Sequence, residues 1–152
     1  MARVLVTGMS GTGKTTLLHE LRRRGHLTVD TDYGGWELPD GQWDEERMAV
    51  LLAEHPDLVV SGTVSNQGRF YDRFEHVVLL SAPLAVLIER VSSRANNPYG
   101  HTAEQQAEIA HYLETVEPLL RPGATLELDG RLPTSELADT IEMVMRLRPP
   151  GG

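Results

Sequence analysis

Gly8-Met9-Ser10-Gly11-Thr12-Gly13-Lys14-Thr15 stands between the run Arg3-Val4-Leu5-Val6-Thr7 and the segment Thr16-Leu17-Leu18-His19-Glu20-Leu21-Arg22-Arg23-Arg24-Gly25. The octapeptide matches the phosphate-binding pattern G-x-x-x-x-G-K-[ST], which requires a strand before it and a helix after it. Both flanks fit. The first run is mostly apolar and rich in valine, as a strand buried on both faces of a parallel sheet reads. The second carries Leu17, Leu18 and Leu21 on one helical face, arginines in its last turn and a glycine at its end. A phosphate-binding α/β domain is the first expectation.

Lys14 is the one lysine of the chain, against thirteen arginines. A lysine is a compact point charge on a flexible stem, whereas arginine is a broad planar fork. A tight loop wrapped around phosphates has room for the ammonium. Gly8, Gly11 and Gly13 let successive N–H groups turn inward into an anion nest, and the following helix adds its positive N-terminal end. Gly11, Thr12 and Gly13 are therefore expected to cradle phosphate. Lys14 is expected to reach the β- and γ-phosphates, Thr15 to place its hydroxyl on Mg²⁺, and Thr16 to add a contact near the α-phosphate. The implied ligands are ATP and Mg²⁺.

The 152 residues suffice for one domain. We expect that domain to span residues 1–148, with a short lid around 95–101 and a tail at 149–152. No apolar run nears the roughly 20 residues of a membrane span. There is no cysteine, which removes disulfides, thiolate metal sites and cysteine nucleophiles and suits a cytoplasmic protein. The formal charge of −8 argues against nucleic acid as the partner, because a phosphate backbone demands a basic surface. The six histidines lack metal-ligand spacing.

Strand-like and helix-like segments alternate. Residues 26–30, 57–61, 77–80 and 125–128 read as four further strands. Asp44 caps a helix reaching about residue 55. Pro83 suits the first turn of a helix with Leu84, Leu87, Ile88 and Val91 on its inner stripe. Thr102-x-x-Gln105 is a capping box for another, with Ile109, Leu113, Val116 and Leu120 as its stripe. A last helix covers residues 135–147. Five β-α repeats imply a five-stranded parallel sheet with helices on both faces, a three-layer α/β fold. Ligands in such sheets sit at the carboxyl ends of the strands.

The residues after each strand are therefore the candidates. Asp30 and Asp32 follow the second strand. One suits a hard cation, through water, and the other suits a proton taken from an attacking hydroxyl, although Asp also caps turns. After the third strand, Gly62 lets backbone approach a ligand closely, and Asn66, Gln67 and Arg69 can hydrogen-bond a polar substrate. That strand ends in Ser61, with no carboxylate for Mg²⁺. Arg90 and Arg94 share one helical face, suited either to clamping a nucleotide or to pairing with Glu89. Of Trp36 and Trp43, one is expected to line a substrate pocket and the other to staple the following helix.

With these residues assembled, the chain resembles the small P-loop kinases related to nucleoside-monophosphate, shikimate and gluconate kinases. Gly8 to Thr15 looks like their ATP loop, and Val29-Asp30-Thr31-Asp32 resembles the shikimate-kinase motif. The resemblance implies that Asp30 helps position Mg²⁺ with Thr15, while Asp32 binds the acceptor hydroxyl and acts as base. Arg90-x-x-x-Arg94 is similar to the lid arginines of adenylate kinases, which implies Arg90 near adenine and Arg94 on the phosphates as a catalytic group. Asp129-Gly130-Arg131-x-Pro133 resembles their adenine-side loop and adds Arg131 to the nucleotide-binding set. The departures are Ser61-Gly62-Thr63 in place of a glycine triplet and the lack of a match to the families' acceptor-binding arginines.

The expected activity is transfer of the γ-phosphoryl group of ATP to a hydroxyl of a small polar metabolite, with Lys14, Asp32 and Arg94 catalytic and Asp32, Gly62 and Arg69 on the acceptor. Two alternatives stand beside it. One is a nucleoside-monophosphate kinase, whose phosphate acceptor needs no base. The other is a nucleotide-binding switch or assembly factor with slow ATP hydrolysis.

Overall fold

A computed structural model describes residues 2–9, 11–93 and 101–146. The chain forms β1 (Arg3–Thr7), α1 (Lys14–Arg23), β2 (Thr28–Asp30), α2 (Glu45–Glu54), β3 (Leu58–Ser61), β4 (His76–Ser81), α3 (Leu84–Ser92), α4 (Ala103–Thr115), α5 (Glu117–Leu120), β5 (Leu126–Asp129) and α6 (Thr134–Arg146). The five strands make one parallel sheet in the order β2-β3-β1-β4-β5. β1 leads off toward one edge and β4 toward the other. This divergence opens a crevice at their carboxyl ends, where such sheets bind ligands.

Strand alternation builds the two covered faces. Val4 and Val6 point to the side closed by Leu17, Leu18 and Leu21 of α1 and Leu137, Ala138 and Ile141 of α6. Leu5 points the other way, into a cluster with Trp43, Met48 and Leu52 of α2 and its entry. Leu79 packs on that same side with Leu87 and Val91 of α3 and Ile109 of α4. Each such fully buried side chain contributes about 1.5–3 kcal/mol. The predicted three-layer α/β fold is the observed one.

Several boundaries differ, each for a visible reason. β2 starts at Thr28 because the His26 N–H still bonds Leu21 O, closing α1. Pro83 is the N-cap of α3, one position before its first turn. The stripe Ile109 to Leu120 belongs to two helices: Pro118 has no N–H to donate, so α4 stops at Thr115 and α5 restarts. A 3-10 turn over Gln67–Arg73 fills a stretch expected to be loop, anchored by the buried Phe70 and Phe74. Both predicted N-caps form, while the Gln105 side-chain oxygen accepts from the His101 N–H, one residue before its cap. Asp44 accepts from the Arg47 N–H and Thr102 from the Gln105 N–H. Arg94, residues 95–100 of the expected lid and the tail 149–152 lie outside the described residues. Among the described residues, no helix is long and apolar enough to cross a membrane.

Candidate active site

The phosphate loop occupies the carboxyl end of the central strand. Gly13 caps α1 with φ 102°, the left-handed region where a side chain would strain the backbone. Lys14 Nζ folds over the loop and donates to the carbonyls of Gly8 at 2.5 Å and Met9 at 3.2 Å. Thr12, fully buried, donates from its hydroxyl to Met9 O at 2.9 Å, locking the turn from beneath. Thr16 faces solvent on the first turn of α1 and lines the same groove as Lys14.

The two aspartates flank an inward anchor. Between them Thr31 is 1% exposed. Its hydroxyl donates to Ser61 O at 2.8 Å and accepts from Trp43 Nε1 at 3.0 Å. Trp43 is thus a core staple at the entry to α2. With Thr31 held inward, its neighbours turn out to the ligand side. Asp30 Oδ2 accepts from the Thr15 hydroxyl at 2.8 Å, and its Oδ1 accepts from the Asp32 N–H at 3.1 Å. Ser61 lies opposite Asp30 in the β2–β3 register. Its buried Oγ has no hydrogen-bond partner among the described residues. The Thr15 hydroxyl and the Asp30 carboxylate are oxygen donors, which fit a hard divalent cation that keeps several waters. Nearby, burial first, and then the charges of Asp32 and Asp30, push the Glu37 carboxyl above its ordinary range. This corner is electronegative and favours a cation.

Thr63, named in the sequence only as part of a departure from a glycine triplet, carries the join between β3 and the phosphate loop. Its Oγ1 accepts from the Gly8 N–H at 3.1 Å and donates to Gly8 O at 2.7 Å, with Thr7 Oγ1 at 3.0 Å. A threonine two residues beyond a parallel strand was the available signal. Gln67 supports it from below, donating to Thr7 Oγ1 and Tyr71 Oη and accepting from the Val64 N–H.

The remaining candidates divide. Arg90 donates to Gly11 O, Thr12 O and Gly130 O, at 3.1, 3.3 and 2.8 Å, and so ties the phosphate loop to the β5–α6 connection. It also lines the groove. Arg131 turns elsewhere, gripping both oxygens of Asp129 in a fork. Those bonds hold the Asp129 carboxyl well below its usual value, at about 2. From this loop Gly130 and Leu132 line the groove, and Arg131 does not. Arg69 is exposed and pairs with Glu45 at 3.4 Å. Asn66 brackets the Trp43 backbone and Glu45, so it and Gln67 bond to the protein itself and not to a substrate. Gly62 is a packing position: a Cβ there would collide with Thr31 Oγ1 and crowd Trp43 Nε1 at 3.3 Å. Trp36 lies under the Arg47 guanidinium, 4.0 Å from its centroid, in a pocket shared with α2.

Two spaces meet at the loop. A groove of about 860 Å³ runs over Gly13, Thr15, Thr16, Arg90, Gly130 and Leu132. A smaller cavity of about 290 Å³ is bounded by Gly8, Met9, Thr63 and, from α4 and its end, Ile109, Tyr112 and Val116. Lys14 and Asp32 line both. Tyr112 falls between the core positions Ile109, Leu113 and Val116, and that offset from the stripe is the sequence signal for its role as a wall.

A phosphate loop at the crevice of a 2-3-1-4-5 parallel sheet, with an oxygen-rich corner and a second cavity beside it, defines a P-loop protein with the fold of the small-molecule kinases. The AAA domain family model matches residues 4–111, and the chain belongs to that family. Comparison with curated protein sequences gives no match. Among solved structures the chain is similar to a shikimate kinase from Acinetobacter baumannii in complex with shikimate, at 20% identity over 95% of this chain and 93% of that one, with a TM-score of 0.70. It is similar to a gluconokinase from Sinorhizobium meliloti 1021, at 18% identity over 94% and 90%, with a TM-score of 0.63. A sugar kinase from Janibacter sp. HTCC2649 aligns at 21% identity over 97% and 95%, with a TM-score of 0.59.

Proposed function

We propose that this protein is an ATP- and Mg²⁺-dependent kinase that phosphorylates a hydroxyl of a small metabolite, acting in the cytoplasm. The observation that carries this reading is the position of Asp32, which borders both the phosphate groove and the neighbouring cavity beside Lys14. The groove takes the nucleotide. Loop N–H groups and the N-terminal end of α1 hold its phosphates. Lys14 exchanges the carbonyls of Gly8 and Met9 for the β- and γ-phosphates. Thr15 and Asp30 would hold the divalent cation. When bound, that cation neutralises charge on the phosphate oxygens.

The acceptor occupies the cavity with its hydroxyl against Asp32. The carboxylate orients the hydroxyl and takes its proton as the oxygen forms a bond to the γ-phosphorus and the bond to the ADP oxygen breaks. Arg90 keeps the phosphate loop and the β5–α6 connection in fixed register for the nucleotide. Arg94 is proposed to stabilise the transferring phosphoryl group.

Asp32→Asn tests the reading. ADP release dependent on a hydroxyl acceptor should fall by about 10²–10⁴-fold, the usual contribution of a positioned base, while binding of an ATP analogue persists. Full acceptor-dependent turnover in this variant refutes Asp32 as base.

A further inference from the structure

We infer that Gln67 is a positioning residue for nucleotide binding. Its buried amide sets the direction of a hydrogen-bond chain that runs through Thr7 and Thr63 to the carbonyl of Gly8, one of the two carbonyls that hold Lys14. The inference rests on the nucleotide-binding part of the kinase reading and adds a residue to it. The direction follows from one donor that cannot be reversed. The backbone N–H of Val64 donates to Gln67 Oε1 at 2.9 Å, so the amide oxygen stands on that side and the NH₂ group on the other. The two N–H groups donate to Thr7 Oγ1 at 3.1 Å and to Tyr71 Oη at 2.8 Å. A hydroxyl has one hydrogen and two lone pairs. Thr7 accepts from Gln67, and its own hydrogen goes to its other partner, Thr63 Oγ1, at 3.0 Å. Thr63 then accepts twice, from Thr7 and from the Gly8 N–H, and donates its hydrogen to Gly8 O at 2.7 Å. The donor and both lone pairs of the Thr63 hydroxyl are thereby used.

Burial makes that direction matter. Gln67 is 2% exposed and Thr7 0%, so bulk water does not compete with the chain at its origin, and hydrogen bonds in such surroundings strengthen one another. The second N–H of the amide anchors it. Tyr71 lies against Gly123, where a Cβ would collide with the ring, and the turn before β5 thus backs the amide's partner. At the other end, Gly8 O receives both the Thr63 hydroxyl and Lys14 Nζ. When Lys14 turns to the phosphates, Gly8 O keeps a side-chain donor only if the Thr63 hydrogen points at it, and a buried acceptor left without one is costly. A reversed chain would turn that hydrogen toward Thr7 and leave Lys14 as the side-chain donor to Gly8 O. The direction set at Gln67 therefore favours the movement of Lys14 that nucleotide binding requires.

The test is calorimetric titration of the full-length protein with a non-hydrolysable ATP analogue and Mg²⁺, arranged as a double-mutant cycle. Gln67→Glu keeps the shape of the side chain and the acceptor for the Val64 N–H, but it presents an oxygen to Thr7. The Thr7 hydrogen then goes to the carboxylate, and Thr63 is free to donate to Thr7. Kd for the analogue should rise about fivefold or more, the worth of one hydrogen bond, with the binding stoichiometry unchanged. A merely structural role would instead lower the stoichiometry, as part of the protein unfolds, and leave Kd alone. Measured in the Thr7→Val background, where no hydroxyl remains to be reversed, the same Gln67→Glu change should shift Kd by less than about twofold. An effect of equal size in that background belongs to the added charge and overturns the inference, as does an unchanged Kd in Gln67→Glu. Should Gln67→Glu fail to fold, Gln67→Met removes the N–H donors and with them the fixed direction. It should raise Kd about twofold or more, an effect again lost with Thr7→Val, and its persistence there overturns the inference. Wild-type protein that binds no analogue overturns the nucleotide reading and the inference with it.

Discussion

Replacing Thr63 by valine keeps the shape of the side chain and removes one hydroxyl from beneath the phosphate loop. That hydroxyl meets three groups: the Gly8 N–H, Gly8 O and Thr7 Oγ1. Two of them keep another partner after the change. Gly8 O still receives Lys14 Nζ, and Thr7 Oγ1 still receives Gln67 Nε2. The Gly8 N–H loses its acceptor. One buried orphan donor costs about 1–3 kcal/mol, and with no cavity created the loss should sit in the lower half of that range. The midpoint of urea denaturation measures it, and Thr63→Ser should recover most of the difference. A second effect follows from Lys14. In the variant Lys14 is the remaining side-chain donor to Gly8 O, and in the kinase reading a bound triphosphate draws that ammonium away. The rise in melting temperature on adding a non-hydrolysable ATP analogue should therefore be smaller in Thr63→Val than in wild type. A valine variant as stable as wild type, with an undiminished nucleotide-induced rise, would show that Thr63 does not brace the loop.

Two further outcomes follow from the same geometry. Gly62→Ala should destabilise the fold by about 1–3 kcal/mol through overpacking against Thr31 and Trp43, read from the denaturation midpoint; a neutral effect would mean that β2 and β3 separate freely at this end. Hydrogen bonds from Arg23 and Arg24 hold the Glu20 carboxyl at about 2, and those from Arg131 hold Asp129 at about 2, both below the ordinary carboxylate range. Lowered carboxyl values mean that their stabilising contributions are complete above about pH 4.5 and disappear as pH falls toward 2. Arg131→Ala should thus lie below wild type in urea midpoint at pH 6, with the gap narrowing as pH falls from about 4 toward 2. A gap independent of pH would remove the Asp129–Arg131 pair from the account.

How much of this was legible depended on whether the information was local. The phosphate loop is local: its glycines, its lysine and its flanking periodicities occupy residues 3–25 and need no partner to be read. The same holds for the Asp44 and Thr102 caps, each closed within three residues. Asp30 and Thr15 could be joined on paper because both follow strands at one end of a parallel sheet, and the 2.8 Å contact between them expresses that topology. The strand order itself was not readable, since the residues that pair β1 with β3 lie more than fifty positions apart.

The polar side chains show why local reading stops. Asn66, Gln67, Arg69 and Arg131 have the functional groups that bind substrates, and composition cannot distinguish a group turned to a ligand from one turned to its own chain. Gln67 reaches across 60 residues to Thr7 and closes on Tyr71, so its amide positions the loop's support and offers nothing to the cavity. Arg131 had a competing carboxylate two residues away, and a fork beside an aspartate at that spacing closes only a short loop to form its pair. Thr63 is the reverse case. It looked like an imperfect glycine, yet its hydroxyl does what the absent ladder partner of Gly8 would have done. The departure from the glycine pattern is therefore compatible with a working phosphate loop. In the kinase reading the acceptor would meet Asp32 on one side of the cavity and the apolar surface of Ile109, Tyr112 and Val116 on the other.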